Sequence, residues 1–205
     1  MNSLESLIAH LKQTRVLRTE SIINAFKEID RKDFVKEEFL SFAYEDSPLP
    51  IGGEQTISQP FTIAFILELL KPQKGEHVLD VGSGSGYTTA LLSHLVGNAG
   101  KIVGVEIIPE LVTLGRNNLS KYNFTNAEIK QAGDTLGIPE EAPYDKILVS
   151  ASAGKIPKAL IDQLKIGGVM VAPIGNDIWK IEKEASGNLE IEKHHGFAFV
   201  PLIER

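Results

Sequence analysis

The chain predicts an α/β fold, a doubly wound and mostly parallel sheet with an N-terminal helical extension and antiparallel C-terminal strands. Three observations predict it. Between residues 77 and 175, short runs rich in Val, Ile and Leu alternate with helically patterned segments, as βαβ units require. Those runs are nearly continuous in apolar residues, which suits strands covered on both faces. A glycine cluster joins the first run to the helix that follows, the place where open α/β sheets receive ligands.

The elements follow in order. Helical patterns cover 4–13 and 19–29, the second carrying Ile22, Ile23, Phe26 and Ile29 at helical spacing. A turn-rich segment, 39–60, contains SPLPIGG and ends at Pro60, which suits the first position of a helix over 61–70 stopping at Lys71-Pro72. HVLDVG (77–82) reads as a strand running into glycines, and 87–96 as a helix. KIVGVEI (101–107) is a strand and 109–122 a helix begun by Pro109. AEIKQAGD (127–134) and YDKILVSA (144–151) are strands, 156–164 a helix and GGVMVAPIG (167–175) a strand. WKIEKEA (179–185) and LEIEKHHGFAFVPL (189–202) alternate like a hairpin around Ser186-Gly187-Asn188. One domain is expected: an N-terminal extension over 1–60, a ligand-binding core over 61–175 and a C-terminal hairpin over 176–205.

Composition narrows the function. With 205 residues, 42% hydrophobic and 23% charged, this is an ordinary globular composition. A net charge of −6 and a pI near 5.4 argue against a binder of phosphate backbones, so no nucleic-acid partner is expected. The absence of cysteine excludes disulfides, thiolate metal sites and Cys nucleophiles. His10, His77, His94, His194 and His195 lack metal-ligand spacing, so no metal is expected. The N-terminus shows no basic region followed by an apolar run, and the apolar run around 63–70 is broken by Glu68 and too short for a bilayer. A cytoplasmic monomer, away from membranes, is the expectation.

The chemistry concentrates at strand ends. VLDVGSGSGYTTALL (78–92) sets Gly82, Gly84 and Gly86 between strand and helix, letting backbone approach a ligand. A dinucleotide fingerprint would need a glycine at position 87, where Tyr87 stands. Asp80, two residues before the glycines, suits an ammonium better than a pyrophosphate. Glu106, twenty residues beyond Gly86, is placed for both hydroxyls of a ribose. Asp134, after Gly133, can accept from an exocyclic amine. Acidic residues also end strands as plain turn formers. Three together beside the glycine run fit one ligand, S-adenosyl-L-methionine.

LDVGSGSGY, VEI and GD at these spacings resemble the class I S-adenosylmethionine-dependent methyltransferases. DFV (33–35), AYEDSPLPIGGEQTISQP (43–60), residues 78–92, residues 142–175 and FVPL (199–202) more narrowly resemble the protein-L-isoaspartate O-methyltransferase family, covering about 31–202 in order. The resemblance implies a Rossmann-like repair enzyme that methylates the free α-carboxylate of L-isoaspartyl residues in damaged proteins. It implies Ser58 as catalytic residue and Ile57, Ser58, Gln59, Asp80, Gly82, Ser83, Gly84, Ser85, Gly86, Glu106, Ile107, Asp134 and Thr135 as cofactor-binding. Thr56, Ser58, Phe199, Val200, Pro201 and Leu202 would hold the substrate peptide, the last four through main-chain hydrogen bonds. Two departures stand out: Asp134-Thr135-Leu136-Gly137 where a further glycine and Gly-Trp-Pro are usual, and Phe61 where His or Tyr is common.

A carboxylate with a pKa near 4 is ionised at neutral pH, so methyl transfer to it needs orientation and water exclusion rather than a base. A positioned hydroxyl can hold one carboxylate oxygen while the other attacks. Read without the resemblance, Ser58 has a plainer role as helix cap. If Pro60 is the first helical residue, Gln59 is the cap and Ser58 lies outside; if the helix starts one residue earlier, Ser58 caps it. Other activities on this scaffold are a carboxylate methyltransferase for a modified natural-product peptide, or a protein that holds the methyl donor without transferring it. A nicotinamide dehydrogenase is disfavoured by Tyr87.

Overall fold

The computed structural model describes residues 1–202; the last three residues of the expected C-terminal hairpin lie outside them. Two helices open the chain, α1 (Leu4–Gln13) and α2 (Glu20–Glu28), followed by 3-10 turns at Arg31–Phe34 and Glu37–Phe42. A small antiparallel hairpin, β1 (Leu49–Gly52) and β2 (Gln55–Ile57), precedes α3 (Pro60–Leu70). The core then runs β3 (His77–Val81), α4 (Tyr87–Val96), β4 (Lys101–Glu106), α5 (Pro109–Leu119), β5 (Ala127–Gln131) and β6 (Tyr144–Val149). It closes with α6 (Lys158–Gln163), β7 (Leu164–Ile174), β8 (Asp177–Lys183) and β9 (Leu189–His195).

The seven strands β3 to β9 form one sheet in the order β5-β4-β3-β6-β7-β8-β9. The first five are parallel, and β8 and β9 add antiparallel. Strand alternation sorts the core onto two faces. Val78, Leu148 and Val171 join the cluster that holds α1 to α5, whereas Leu79, Val81, Ile147, Val149, Met170 and Ala172 face Leu160 of α6. The expected doubly wound, mostly parallel sheet is therefore present. Because β4 and β6 flank β3 on opposite sides, the chain turns opposite ways after β3, and a crevice opens at the strands' carboxyl ends.

The N-terminal helices are fastened to this core by a buried carboxylate. Glu68, the charge that interrupts the apolar run of α3, accepts the N–H groups of Arg18 and Thr19 at 2.7 Å each and the Thr19 hydroxyl at 2.8 Å. Thr19 is the N-cap of α2 and makes no side-chain cap of its own, so Glu68 supplies acceptors at that helix entrance.

Several boundaries differ from expectation for local reasons. The hairpin β1–β2 replaces plain turn; its strands have only four and three residues, too few for alternation to register. Helix α6 begins at Lys158 rather than Ile156, because a residue before proline is pushed out of the helical region and Pro157 becomes the N-cap. Strand β5 ends at Gln131, leaving Gly133 and Asp134 in a loop. Strand β9 ends at His195, and 196–202 instead crosses to Ser152, joined through a single parallel bridge at Pro201.

Candidate active site

A cavity of about 340 Å³ occupies the crevice. Three walls enclose it: the hairpin and Thr56 to Ser58, the glycine loop with the ends of β4 and β5, and a far side made by 150–151, 155–159 and 200–202.

The glycine loop owes its shape to backbone that only glycine adopts easily. Gly82, Gly84 and Gly86 have φ of +80°, +51° and +86°. A Cβ on Gly86 would lie 3.0 Å from the Gly115 carbonyl oxygen, and one on Gly115 would lie 2.9 Å from that of Gly84. The loop is thus seated against α5 as well as leading into α4. Gly86 is the N-cap of α4 and has no side chain to cap with, so the helix entrance stays open toward the cavity.

Glu106, at the end of β4, is buried and accepts three main-chain N–H groups, which leaves its carboxylate acceptor capacity to spare. One oxygen accepts the N–H of Ile107 at 2.7 Å and of Ile108 at 2.9 Å; the other accepts the Gly84 N–H at 3.0 Å. It lines the cavity and also fixes the glycine loop. The 132–137 loop is pinned by Gln163, whose carbonyl oxygen accepts the Ile138 N–H at 2.9 Å and whose amide donates to Leu136 at 2.8 Å. That brings Asp134 and Thr135 to the cavity on an exposed loop.

Asp80 calls for a correction. It does not border the cavity but is wholly buried, accepting hydroxyl protons from Thr88 and Thr89 at 2.7 Å each. Strand β3 continues to Val81, so Asp80 still points from the sheet, on the Val78 face, into the first turn of α4. Burial pushes its carboxyl up to about 6, partly opposed by the two threonine hydrogen bonds. Gln59, Gly86 and Phe199 also lie off the cavity wall, whereas Thr56, Ile57, Ser58, Gly82 to Ser85, Glu106, Ile107, Asp134, Thr135 and Val200 to Leu202 line it.

Ser58 sits between β2 and α3, half-buried, on the cavity wall. The helix begins at Pro60 with Gln59 as N-cap, and Gln59 makes no side-chain cap. Capping is done from elsewhere: the Asp46 carboxylate accepts the Phe61 N–H at 2.8 Å. Among the described residues the Ser58 hydroxyl makes no hydrogen bond, while its carbonyl accepts from the Arg31 guanidinium at 3.2 Å. Its hydroxyl is left available to a ligand.

The tail 199–202 is half consumed as a peptide-binding edge. Ser152 donates its N–H to the Val200 carbonyl at 2.8 Å and accepts the Leu202 N–H at 2.8 Å. Strand alternation leaves the other edge to Phe199 and Pro201, and proline has no N–H to offer.

A family model described as protein-L-isoaspartate(D-aspartate) O-methyltransferase matches residues 2–205. The chain belongs to that family. A Methanopyrus kandleri protein named protein-L-isoaspartate O-methyltransferase is 45% identical over 204 residues, spanning 97% of this chain and 90% of the relative. Its namesake from Methanococcoides burtonii is 42% identical over 187 residues, spanning 90% and 92%. A Plasmodium falciparum crystal structure, of a protein assigned the same activity and in complex with S-adenosyl-L-homocysteine, superposes with a TM-score of 0.87 at 26% identity over the whole of both chains. A second solved structure of that name superposes with a TM-score of 0.87 at 30% identity, covering 98% of this chain and 66% of the other. As in the rest of the family, the cofactor class is S-adenosyl-L-methionine.

The residues fit that cofactor. The cavity is lined by a carboxylate at the end of β4, the entrance of α4, an acidic loop at 133–134, and Ser83, whose buried hydroxyl has no partner of its own among the described residues. Among the contributors that sequence reasoning missed are the hairpin residues Ile51 and Gln55, Ile63, Ser150 and Ala151, the wall at 155–159, and Arg31 behind Ser58. The Pro157 that delays α6 was a visible signal for the 155–159 wall. No helix among the described residues is long and apolar enough to cross a membrane.

Proposed function

We propose that this chain methylates the free α-carboxylate of L-isoaspartyl residues in damaged proteins, with Ser58 orienting that carboxylate in the cavity. The observation that carries the reading is Ser58, which lines the same cavity as the glycine loop and is relieved of capping by Asp46. Glu106 and the 133–135 loop would hold the donor's ribose and adenine ends, and the entrance of α4 with Ser83 would hold its amino-acid end. S-adenosyl-L-methionine, when bound, supplies a methyl group made electrophilic by a sulfonium.

This chain's own groups then do three things. Ser58 donates a hydrogen bond to one carboxylate oxygen and leaves the second free to attack in line. The apolar residues Ile51, Ile57, Ile63 and Leu202 line the cavity and keep water from the reacting charges. Val200 to Leu202, held by Ser152, close the peptide side. No base is required, since the substrate carboxylate is already ionised. The protein acts as a cytoplasmic monomer; light scattering that gave a multiple of 22.4 kDa would remove the monomer from this reading.

The test is a paired assay. With S-adenosyl-L-methionine, an isoaspartyl peptide should be methylated and its normal aspartyl twin should not. Equal rates on both, or no transfer to either, defeat the proposal.

A further inference from the structure

Arg31 is an unusual residue to find with no exposed surface at all. It opens the 3-10 turn Arg31–Phe34, and its guanidinium is spent on three main-chain carbonyls. Nη1 donates to Ala43 at 2.7 Å; Nη2 donates to Ser47 at 3.0 Å and to Ser58 at 3.2 Å. Among the described residues no carboxylate comes within ion-pair distance of it, and Nε finds no partner. Withdrawing an unpaired charge from water is expensive, and burial lowers the guanidinium to about 10. An apolar side chain would avoid that cost but leave the three carbonyls without these donors. The carbonyls it gathers all belong to the segment that wraps the cavity and ends at Ser58. A planar fork with several donors suits the convergence of three carbonyls, whereas an ammonium is a point.

We propose that Arg31 is a positioning residue for methyl transfer: it fixes the backbone of Ser58, and so the direction of the Ser58 hydroxyl, without touching donor or substrate. The inference rests on the reading of Ser58 above. Arg31 contacts none of the glycine loop, Glu106 or the 133–135 loop through its hydrogen bonds, and reaches the site only at the Ser58 carbonyl, so donor affinity should change far less than turnover.

The test is a double-mutant cycle on the full chain, read as kcat on an isoaspartyl peptide at saturating donor, with S-adenosyl-L-homocysteine binding measured alongside. Arg31→Lys retains a donor long enough to approach one carbonyl, whereas Arg31→Gln ends at the level of Nε and falls short of the carbonyls that the Nη atoms reach. The expected result is a kcat loss of about tenfold or more, since small misplacements of an orienting group cost turnover steeply. S-adenosyl-L-homocysteine affinity should stay within about twofold, and the Arg31 substitutions should cost nothing further when Ser58→Ala is already present. Losses that multiply across the two sites would sink the Arg31 inference alone. A wild-type kcat in Arg31→Lys would do the same. Loss of S-adenosyl-L-homocysteine binding in both Arg31 variants also overturns it, because Arg31 would then hold the fold rather than the loop. A wild-type kcat in Ser58→Ala removes the Ser58 assignment first, and the Arg31 inference with it.

Discussion

Replacing Ser58 with alanine separates catalysis from capping. The substitution removes one hydroxyl that makes no hydrogen bond within the described residues, from a half-buried position. The entrance of α3 keeps its acceptor, because the Asp46 carboxylate holds the Phe61 N–H at 2.8 Å. Stability should therefore hardly change, with Tm moving by no more than about 2 °C. Turnover should change a great deal. A hydrogen bond to a charged group contributes roughly 1.5–3 kcal/mol, which for a bond that orients the attacking carboxylate corresponds to roughly a 10- to 150-fold loss in kcat. Donor affinity should be nearly untouched. The assay pairs steady-state methylation of an isoaspartyl peptide with calorimetric melting and S-adenosyl-L-homocysteine titration. The opposite pattern refutes the reasoning: an unchanged kcat with a Tm loss of about 2–4 °C, as the loss of a cap of about 1 kcal/mol would produce in a chain of this length.

Other expectations follow from the same geometry. Glu106→Gln keeps a carbonyl for Ile107 and Ile108 but turns an NH₂ toward the Gly84 N–H, a donor facing a donor; at roughly 1–3 kcal/mol, S-adenosyl-L-homocysteine should bind about 5- to 150-fold more weakly by titration calorimetry, and unchanged affinity would contradict the assigned role. Asp46→Ala removes the acceptor at the α3 entrance and should lower stability by about 1 kcal/mol in denaturant unfolding; a neutral result would mean that Asp46 is not the cap. Asp80 carries a pH signature: its carboxyl is raised from the ordinary 3.8 to about 6 by burial, so its contribution is fully present below pH 3.8 and is lost as pH rises through 6. Relative to Asp80→Asn, the wild type should therefore lose about 2 kcal/mol between pH 4 and 7, and a difference that stays flat with pH would show that the fold does not raise the Asp80 carboxyl. Gly86→Ala forces an L residue to φ +86° with its Cβ 3.0 Å from the Gly115 carbonyl, costing at least 1–2 kcal/mol and detectable as a drop in the urea midpoint.

What the sequence made legible was whatever repeats or is local. The parallel strands announced themselves as apolar runs, and Pro60 and Pro109 marked helix starts that the structure keeps within a residue. The glycine loop and Glu106 were legible because their spacing along one βαβ unit is fixed by chain geometry. Asp80 was legible as a carboxylate just before the glycine loop, but not which way it points: strand alternation puts its side chain on the Val78 face, under α4 rather than on the cavity wall. Arg31 and Asp46 were invisible for a different reason. Their partners lie 27 and 15 residues away, and nothing in the local pattern of a charged residue in a turn announces a buried staple.

The two halves of the site are therefore built by different physics. The donor half hangs from the sheet: its glycines and Glu106 are placed by β3, β4 and α5, whose apolar side chains are buried in the core. The acceptor half, around Ser58, comes from a segment with no long regular element. Leu49, Ile51 and Ile57 anchor the hairpin in the core, whereas 43–48 and 58–61 are tied by a few polar contacts, from Arg31 to Ala43, Ser47 and Ser58, from Tyr44 to Asp30 and from Asp46 to Phe61. Apolar packing spreads a perturbation over many neighbours, whereas a polar staple fails all at once when its one partner is removed. Substitutions at the staples should consequently lower turnover while leaving donor affinity intact. The walls meet at Ile51, so near the glycine loop that a Cβ on Gly84 would come within 3.1 Å of its Cδ1, and at Gly53, where a Cβ would come within 3.1 Å of the Cδ1 of Ile108. A larger side chain at Gly84 would push the hairpin away, and a single change there should disturb donor binding and carboxylate orientation together.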